Sequence, residues 1–277
     1  MALTAERYAE LTELCRRFRI DVLTAIHAAQ SGHPGGSLSV CEILTYLYQE
    51  HMNLDASKPD DPDRDRLVLS KGHAAPMLYR NLAEKGFFPV EEMMTLRRMG
   101  GLAGHPSMHT PGVEMPGGPL GQGFPAAQGM AMALKLNGSP AKVYAVLGDG
   151  ELDEGVIWET AMSAPKFKLD NLIAIVDYNK VQLDGTTDEV MPLGDLSAKW
   201  EAFGWTVLEC DGHDLEALDF CISVADGAVG APTVIIANTV KGKGVSFMEN
   251  QCGWHGVAPN DEQYKQAMAE LEAQLIH

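Results

Sequence analysis

Two short runs, Lys142 to Leu147 (KVYAVL) and Asn171 to Val176 (NLIAIV), are apolar on both sets of alternate positions. A strand with one face in water alternates polar and apolar residues. A continuous apolar run implies burial on both faces, as in a parallel sheet covered by helices. Between the two runs, Glu151 to Lys168 reads as a helix, the single crossover that a parallel pair requires. Arg66 to Leu69 (RLVL), Trp205 to Glu209 and Thr233 to Ala237 are further strand candidates, with a helix over Leu215 to Val224. The expected fold class is α/β, a largely parallel sheet with helices on both faces, in a single domain over residues 1–277.

Thr4 to Gln30 places Leu11, Leu14, Phe18, Val22 and Ile26 at helical spacing and stops at Gly32 and Pro34. Val40 to His51, Ala74 to Lys85 and Asp261 to Ile276 read as further helices. Gly100 to Gly123 is too dense in glycine and proline for helix or strand. A loop of that length inside a compact domain is functional or disordered. It runs into Phe124 to Leu136, read as a helix whose small residues permit tight packing.

The net charge is −17, from 38 acidic against 21 basic residues. Such a surface repels nucleic acid and anionic membranes, so neither is an expected partner. An anionic ligand needs positive potential supplied locally. The five cysteines (Cys15, Cys41, Cys210, Cys221, Cys252) lack CxxC spacing and suggest neither a disulfide framework nor a zinc site. They read as reduced thiols of a cytoplasmic protein. Met1 to Glu10 is polar, without a signal-peptide core, and the apolar stretch around Val234 to Ala237 is too short to span a bilayer.

Gly148-Asp149-Gly150 closes the first apolar run and Asp177-Tyr178-Asn179 the second. Alone, a Gly-Asp-Gly is more often a turn. An amide at the matching position of the next strand changes that reading, because the carboxyl ends of parallel strands face the crevice where α/β sheets bind ligands. Asp149 offers a hard anionic oxygen and Asn179 a neutral one. The pair suits magnesium or calcium, with a diphosphate supplying further oxygens. Gly148 and Gly150 admit a phosphate close to the backbone at a helix N-terminus, and the Val181 carbonyl is a further candidate ligand. Four histidines follow glycine (His33, His73, His105, His213) and His255 precedes one. His33, His73, His105 and His255 are expected to converge on one crevice, to bind hydroxyls or anions and move protons near neutral pH.

These residues resemble the diphosphate-binding part of transketolases. The resemblance rests on Gly148-Asp149-Gly150 with Asn179, SGHPGG (Ser31 to Gly36), SKGHAAPMLY (Ser70 to Tyr79) and GHP (Gly104 to Pro106). It continues through GGPLGQG (Gly117 to Gly123), LGDGELDEG (Leu147 to Gly155), KGKGVSFMEN (Lys241 to Asn250) and WHG (Trp254 to Gly256). It implies the thiamine diphosphate-binding fold, with the metal, Mg2+ or Ca2+, on Asp149, Asn179 and the Val181 carbonyl. It implies cofactor contacts from His73, Gly118, Pro119, Leu120, Gly148, Asp149, Gly150, Glu151, Asn179 and His255, with Lys241 on the diphosphate. His33, His105 and His255 are implied to line the substrate channel. Glu154 is implied at a dimer contact within a carboxylate network that joins two active sites.

The loop Met108 to Pro116 is shorter than in long transketolases. The pyrimidine-binding and C-terminal domains of complete members find no counterpart in these 277 residues. The resemblance therefore implies the N-terminal subunit of a split transketolase that works on sugar phosphates, paired with a separate C-terminal subunit, as α2β2. A half of a 1-deoxyxylulose-5-phosphate synthase or a 2-oxo acid dehydrogenase alpha subunit shares the cofactor signature, but SGHPGG and SKGHA favour transketolase. A non-catalytic remnant has no reason to keep all the motifs. A subunit of this kind is expected to expose an apolar surface where its partner docks.

Overall fold

The computed structural model describes residues 3–274. Helix α1 (Ala5–Ala29) starts where Thr4 caps the Arg7 N–H and ends on Gln30 in the left-handed region. Then follow α2 (Pro34–Ser39), α3 (Cys41–Tyr46) continued by a π turn over Leu47–His51, strand β1 (Arg66–Leu69) and α4 (Ala75–Lys85). The Gly/Pro loop leads into α5 (Gly123–Leu136), β2 (Val143–Gly148), α6 (Gly155–Lys166) and β3 (Leu172–Tyr178). The chain continues through α7 (Thr187–Val190), α8 (Leu196–Ala202), β4 (Thr206–Asp211), α9 (Leu215–Asp226), β5 (Thr233–Asn238) and α10 (Asp261–Glu272).

All strand pairs are parallel, in the order β1-β2-β3-β5-β4. The apolar runs divide their side chains as the sequence requires. Tyr144, Val146, Ile173, Ile175 and Ile235 pack against α1, α3, α4 and α9. Ala145, Leu147, Leu172, Ala174, Val176, Val234 and Ile236 pack against α5, α6 and α8. Each fully buried Val, Leu or Ile contributes roughly 1.5–3 kcal/mol relative to exposure, so either face alone anchors its helices.

Three expectations change. The helix over Val40 to His51 is broken into α3 and the π turn, and a helix not foreseen, α2, precedes it. The crossover over Glu151 to Lys168 begins as a 3-10 turn, Gly150–Asp153, before α6. The last helix ends at Glu272, and the Leu275 to Ile276 part of that expectation lies outside the described residues. The Gly100 to Gly123 loop is irregular but tied: Tyr79 donates to the His105 carbonyl at 2.7 Å, and Gly117 N–H to the Pro106 carbonyl at 2.9 Å. Cys15, Cys41 and Cys221 are buried, and Cys210 and Cys252 half-buried, all five as free thiols. Among the described residues no helix is long and apolar enough to cross a membrane.

Candidate functional site

Gly148 of β2 pairs in register with Asp177 of β3, which sets Asp149 and Asn179 side by side at the carboxyl end of the sheet. Asp149 is buried, and its carboxylate accepts the backbone N–H of Gly150 at 2.8 Å and that of Lys180. Burial, with the Asp177 charge nearby, pushes its carboxyl up to about 6. Asn179 is buried, and its Oδ1 accepts the Val181 N–H at 3.2 Å. A carboxylate whose burial raises its pKa gains by meeting a cation. The amide oxygen and the Val181 carbonyl complete a hard donor set without sulfur or imidazole, which fits magnesium or calcium.

The four histidines do converge. Ring centroids of His33 lie 5.7 Å from His73, 5.4 Å from His105 and 5.6 Å from His255, and His73 lies 4.9 Å from His255. They come from four separate connections: His33 before α2, His73 in the 3-10 turn Gly72–Ala74 after β1, His105 in the Gly/Pro loop and His255 beyond β5. Parallel topology delivers the segments after β1 and β5 to one end of the sheet, and the α1–α2 junction and the Gly/Pro loop bring His33 and His105 against them. Burial holds His33 near 4, helped by the Arg97 charge, and His255 near 4, helped by Lys241. His73 and His105 are lowered by burial too, with Lys71 and Arg97 respectively adding to it. All four are therefore neutral imidazoles at pH 7, able to accept a proton or a hydroxyl hydrogen. His213 does not join them. It bonds Glu42 at 2.8 Å and accepts the Val240 N–H at 2.8 Å, a structural role.

The histidines roof a cavity of about 290 Å³ whose floor is Gly148, Asp149, Gly150, Glu151, Asn179 and Val181. Gly118, Leu120 and Lys241 complete the expected lining, but Pro119 does not reach it. Close backbone packing shapes the wall: a Cβ on Gly72 would stand 2.7 Å from the Gly118 nitrogen. Glu151 faces the cavity with both oxygens engaged, accepting Ser70 Oγ and the N–H groups of Gly121 (2.8 Å) and Gly148 (3.0 Å). Glu154 lies outside the cavity, exposed at the start of α6. Lys71, Gly36, Gln182 and Leu183 also line the site, and Arg97 meets His33 Nδ1 at 3.3 Å at its edge. Sequence reasoning passed over these five. Only Lys71 and Gly36, inside SKGH and SGHPGG, carried a signal.

Glycine-flanked strand ends, hard oxygen donors and a histidine roof define an α/β protein with a candidate ligand site at the carboxyl end of its sheet. The family profile "Transketolase, thiamine diphosphate binding domain" matches residues 11–274. The chain is 47% identical over 270 residues to a 6-deoxy-6-sulfo-D-fructose transketolase subunit of Clostridium sp. (strain MSTE9), covering 97% of this chain and 98% of that protein. It is 43% identical over 251 residues to an apulose-4-phosphate transketolase subunit of Phocaeicola vulgatus, covering 90% and 89%. The transketolase of Pichia stipitis, solved with sedoheptulose 7-phosphate, superposes with a TM-score of 0.91 at 31% identity. That match covers 95% of this chain but 41% of the solved one, so the chain spans about two-fifths of that length. The chain belongs to the transketolase family, as its thiamine diphosphate-binding domain.

Proposed function

We propose that this chain, one domain throughout, is the cofactor-anchoring subunit of a two-subunit transketolase. The enzyme transfers a two-carbon ketol unit from a ketose phosphate, or a related sulfonated or branched sugar, to an aldose phosphate. The carrying observation is the convergence of His33, His73, His105 and His255 over the Asp149–Asn179 end of the sheet. Asp149, Asn179 and the Val181 carbonyl hold Mg2+ or Ca2+. His73, His255, Gly118, Leu120 and Gly150 hold the cofactor, with Lys241 on the diphosphate side. When bound, thiamine diphosphate supplies the electron sink that makes ketol transfer possible.

The protein's own part is positional. Neutral His33 and His105 face the substrate side, where they accept hydrogen bonds from sugar hydroxyls and take or return the proton released there. The glycines let backbone approach the diphosphate, and the loops exclude water around it. Pro119 shapes its loop from outside the cavity. Glu154 serves at the contact between two copies of the chain in an α2β2 assembly. A partner subunit closes the mouth, where Leu183 is 59% and Leu120 38% exposed. Apolar side chains left in water at a cavity rim suit a docking surface.

The test is ketol transfer from xylulose 5-phosphate, against pyruvate as donor, by this chain alone and mixed with a second polypeptide carrying the pyrimidine-binding domain. Activity is expected only in the mixture and only with the ketose. Full activity of the isolated chain overturns the two-subunit reading, and preference for pyruvate overturns the transketolase reading.

A further inference from the structure

Lys71 and Asp177 form an ion pair whose side chains are 1% and 0% exposed, 106 residues apart in the chain. Their pairing gathers four segments. Lys71 follows β1 and also reaches the Gly36 carbonyl at 3.3 Å. Asp177 lies on β3, and its Oδ2 accepts the Ser39 hydroxyl of α2 at 2.6 Å. Its Oδ1 accepts the Thr239 hydroxyl, just beyond β5. Ser39 Oγ is in turn 3.5 Å from the Asn179 amide. His73 and Lys241 stand two residues from Lys71 and Thr239.

A pair this deep is weak as a stabilising device. Taking two charges out of water costs about what their attraction returns, and apolar replacement is often neutral or better. Its position suggests another use. Register pairing of Gly148 with Asp177 puts two buried carboxylates, Asp149 and Asp177, at adjacent strand ends beneath one cavity. Like charges in a low-dielectric wall repel each other and any anion that enters. Lys71 lines that cavity.

We infer that Lys71 is a positioning residue that neutralises Asp177, so that Asp149 is the carboxylate left to meet the incoming cation, Glu151 being engaged by Ser70 and the Gly121 and Gly148 N–H groups. This rests on the functional reading above. A divalent cation would cover the charge of Asp149, and the diphosphate would not meet that of Asp177. The same ammonium fixes α2 and the ends of β1 and β3, which keeps the Asn179 amide in place beside Asp149.

The two halves of the pair should respond with opposite signs, which a scaffold role would not produce. In the full chain with saturating Mg2+, thiamine diphosphate binding is read by calorimetry. Lys71→Met is expected to weaken it by about tenfold or more, the effect of one uncompensated charge worth about 1.4 kcal/mol. Asp177→Asn, which keeps an oxygen for Ser39 and Thr239 and frees an ammonium toward the anion, is expected not to weaken it. The double variant K71M/D177N is expected to recover most of the loss. Equal losses in both single variants, or a double variant as weak as K71M, overturn the inference.

Failure of the unsubstituted chain to bind would instead sink the functional reading. The pair is then judged on ligand-free thermal unfolding. K71M, with a buried unpaired carboxylate, should unfold below K71M/D177N. An equal or higher midpoint for K71M overturns the neutralising role.

Discussion

The Lys241 ammonium donates to the Val181 carbonyl at 2.9 Å, joining the segment after β5 to the segment after β3. The same ammonium lies 3.0 Å from the Gln182 carbonyl and 3.1 Å from His255 Nδ1. A lysine ammonium only donates, so Nδ1 of His255 accepts and its ring proton sits on Nε2. Burial lowers the Lys241 amine to about 8, which still leaves it mostly charged at pH 7. One cation therefore fixes both a candidate metal-ligand carbonyl and the tautomer of a histidine over the cavity.

Replacing Lys241 with Met removes the charge that, after burial, most strongly depresses His255. The His255 pKa should then rise from about 4 toward its ordinary value of 6.5. An NMR titration of the imidazole Cε1–H resonance measures this. An unchanged midpoint means burial alone sets the value.

Asp149 carries a cost that its proposed ligand removes. Its folded carboxyl is raised, so the folded state prefers the protonated form, and stability falls as pH climbs from 3.8 through about 6. A rise of roughly two pH units corresponds to about 3 kcal/mol. Asp149→Asn should therefore raise the thermal midpoint of the ligand-free chain at pH 7 and have little effect near pH 3.5. Asp149→Ala should abolish metal-dependent thiamine diphosphate binding, by more than ~100-fold, beyond the cost of losing an outer-shell partner. Calorimetry with and without Mg2+ checks the second claim, and unchanged binding by the Ala variant would support a non-catalytic remnant.

The parallel sheet was legible because burial on two faces leaves a mark in local composition, as in KVYAVL and NLIAIV. The histidine cluster was legible because each member sits beside a glycine outside the main elements. Parallel topology accounts for His73 and His255, which follow β1 and β5, but not for His33 and His105, which lie between helices. Helix α2 was not, since Pro34-Gly35-Gly36 reads as a stop. All six residues of α2 are buried, so packing rather than propensity holds the helix. The pairing of Lys71 with Asp177 was equally hidden, although both lie in motifs: nothing local distinguishes a buried charge from a solvated one when its partner is far along the chain. Motif membership reached past the cavity at Pro119, which does not line it.

Gly72 tests how tightly the loops must close. A Cβ there would stand 2.7 Å from the Gly118 nitrogen and 3.1 Å from the Gly117 carbonyl carbon, both backbone atoms that cannot rotate away. Gly72→Ala should lift the Gly117 to Leu120 loop from the SKGH loop and destabilise the chain by about 1–3 kcal/mol, the usual cost of overpacking. Cofactor affinity should fall with it, because Gly118 and Leu120 line the cavity. Gly129→Ala, in the exposed interior of α5 with nothing within 4 Å of its Cβ position, is the control: it should raise the thermal midpoint slightly through helix propensity and leave affinity unchanged.

The histidine roof gives the last prediction. His33, His73, His105 and His255 all have folded pKa values below the ordinary 6.5, chiefly through burial, and His33 and His255 lie near 4. Between pH 6.5 and 4 the unfolded chain binds protons that the folded chain refuses, so stability rises with pH across that window and is fully present above it. The thermal midpoint of the ligand-free chain should thus decline as pH falls from 6.5 to 4, four histidines outweighing the opposite trend of the single Asp149 carboxyl. Depression of the Glu42 carboxyl to about 2 adds a further loss at lower pH, as the unfolded chain takes up that proton below 4.5 and the folded chain only near 2. The histidine window is separable by substitution. His33→Asn combined with His255→Asn removes two of the refused protons and should flatten the decline above pH 4 while leaving the Glu42 region unchanged. Differential scanning fluorimetry across pH 3 to 8 reads both segments, and a decline of equal slope in the double variant would show that the roof does not titrate with folding.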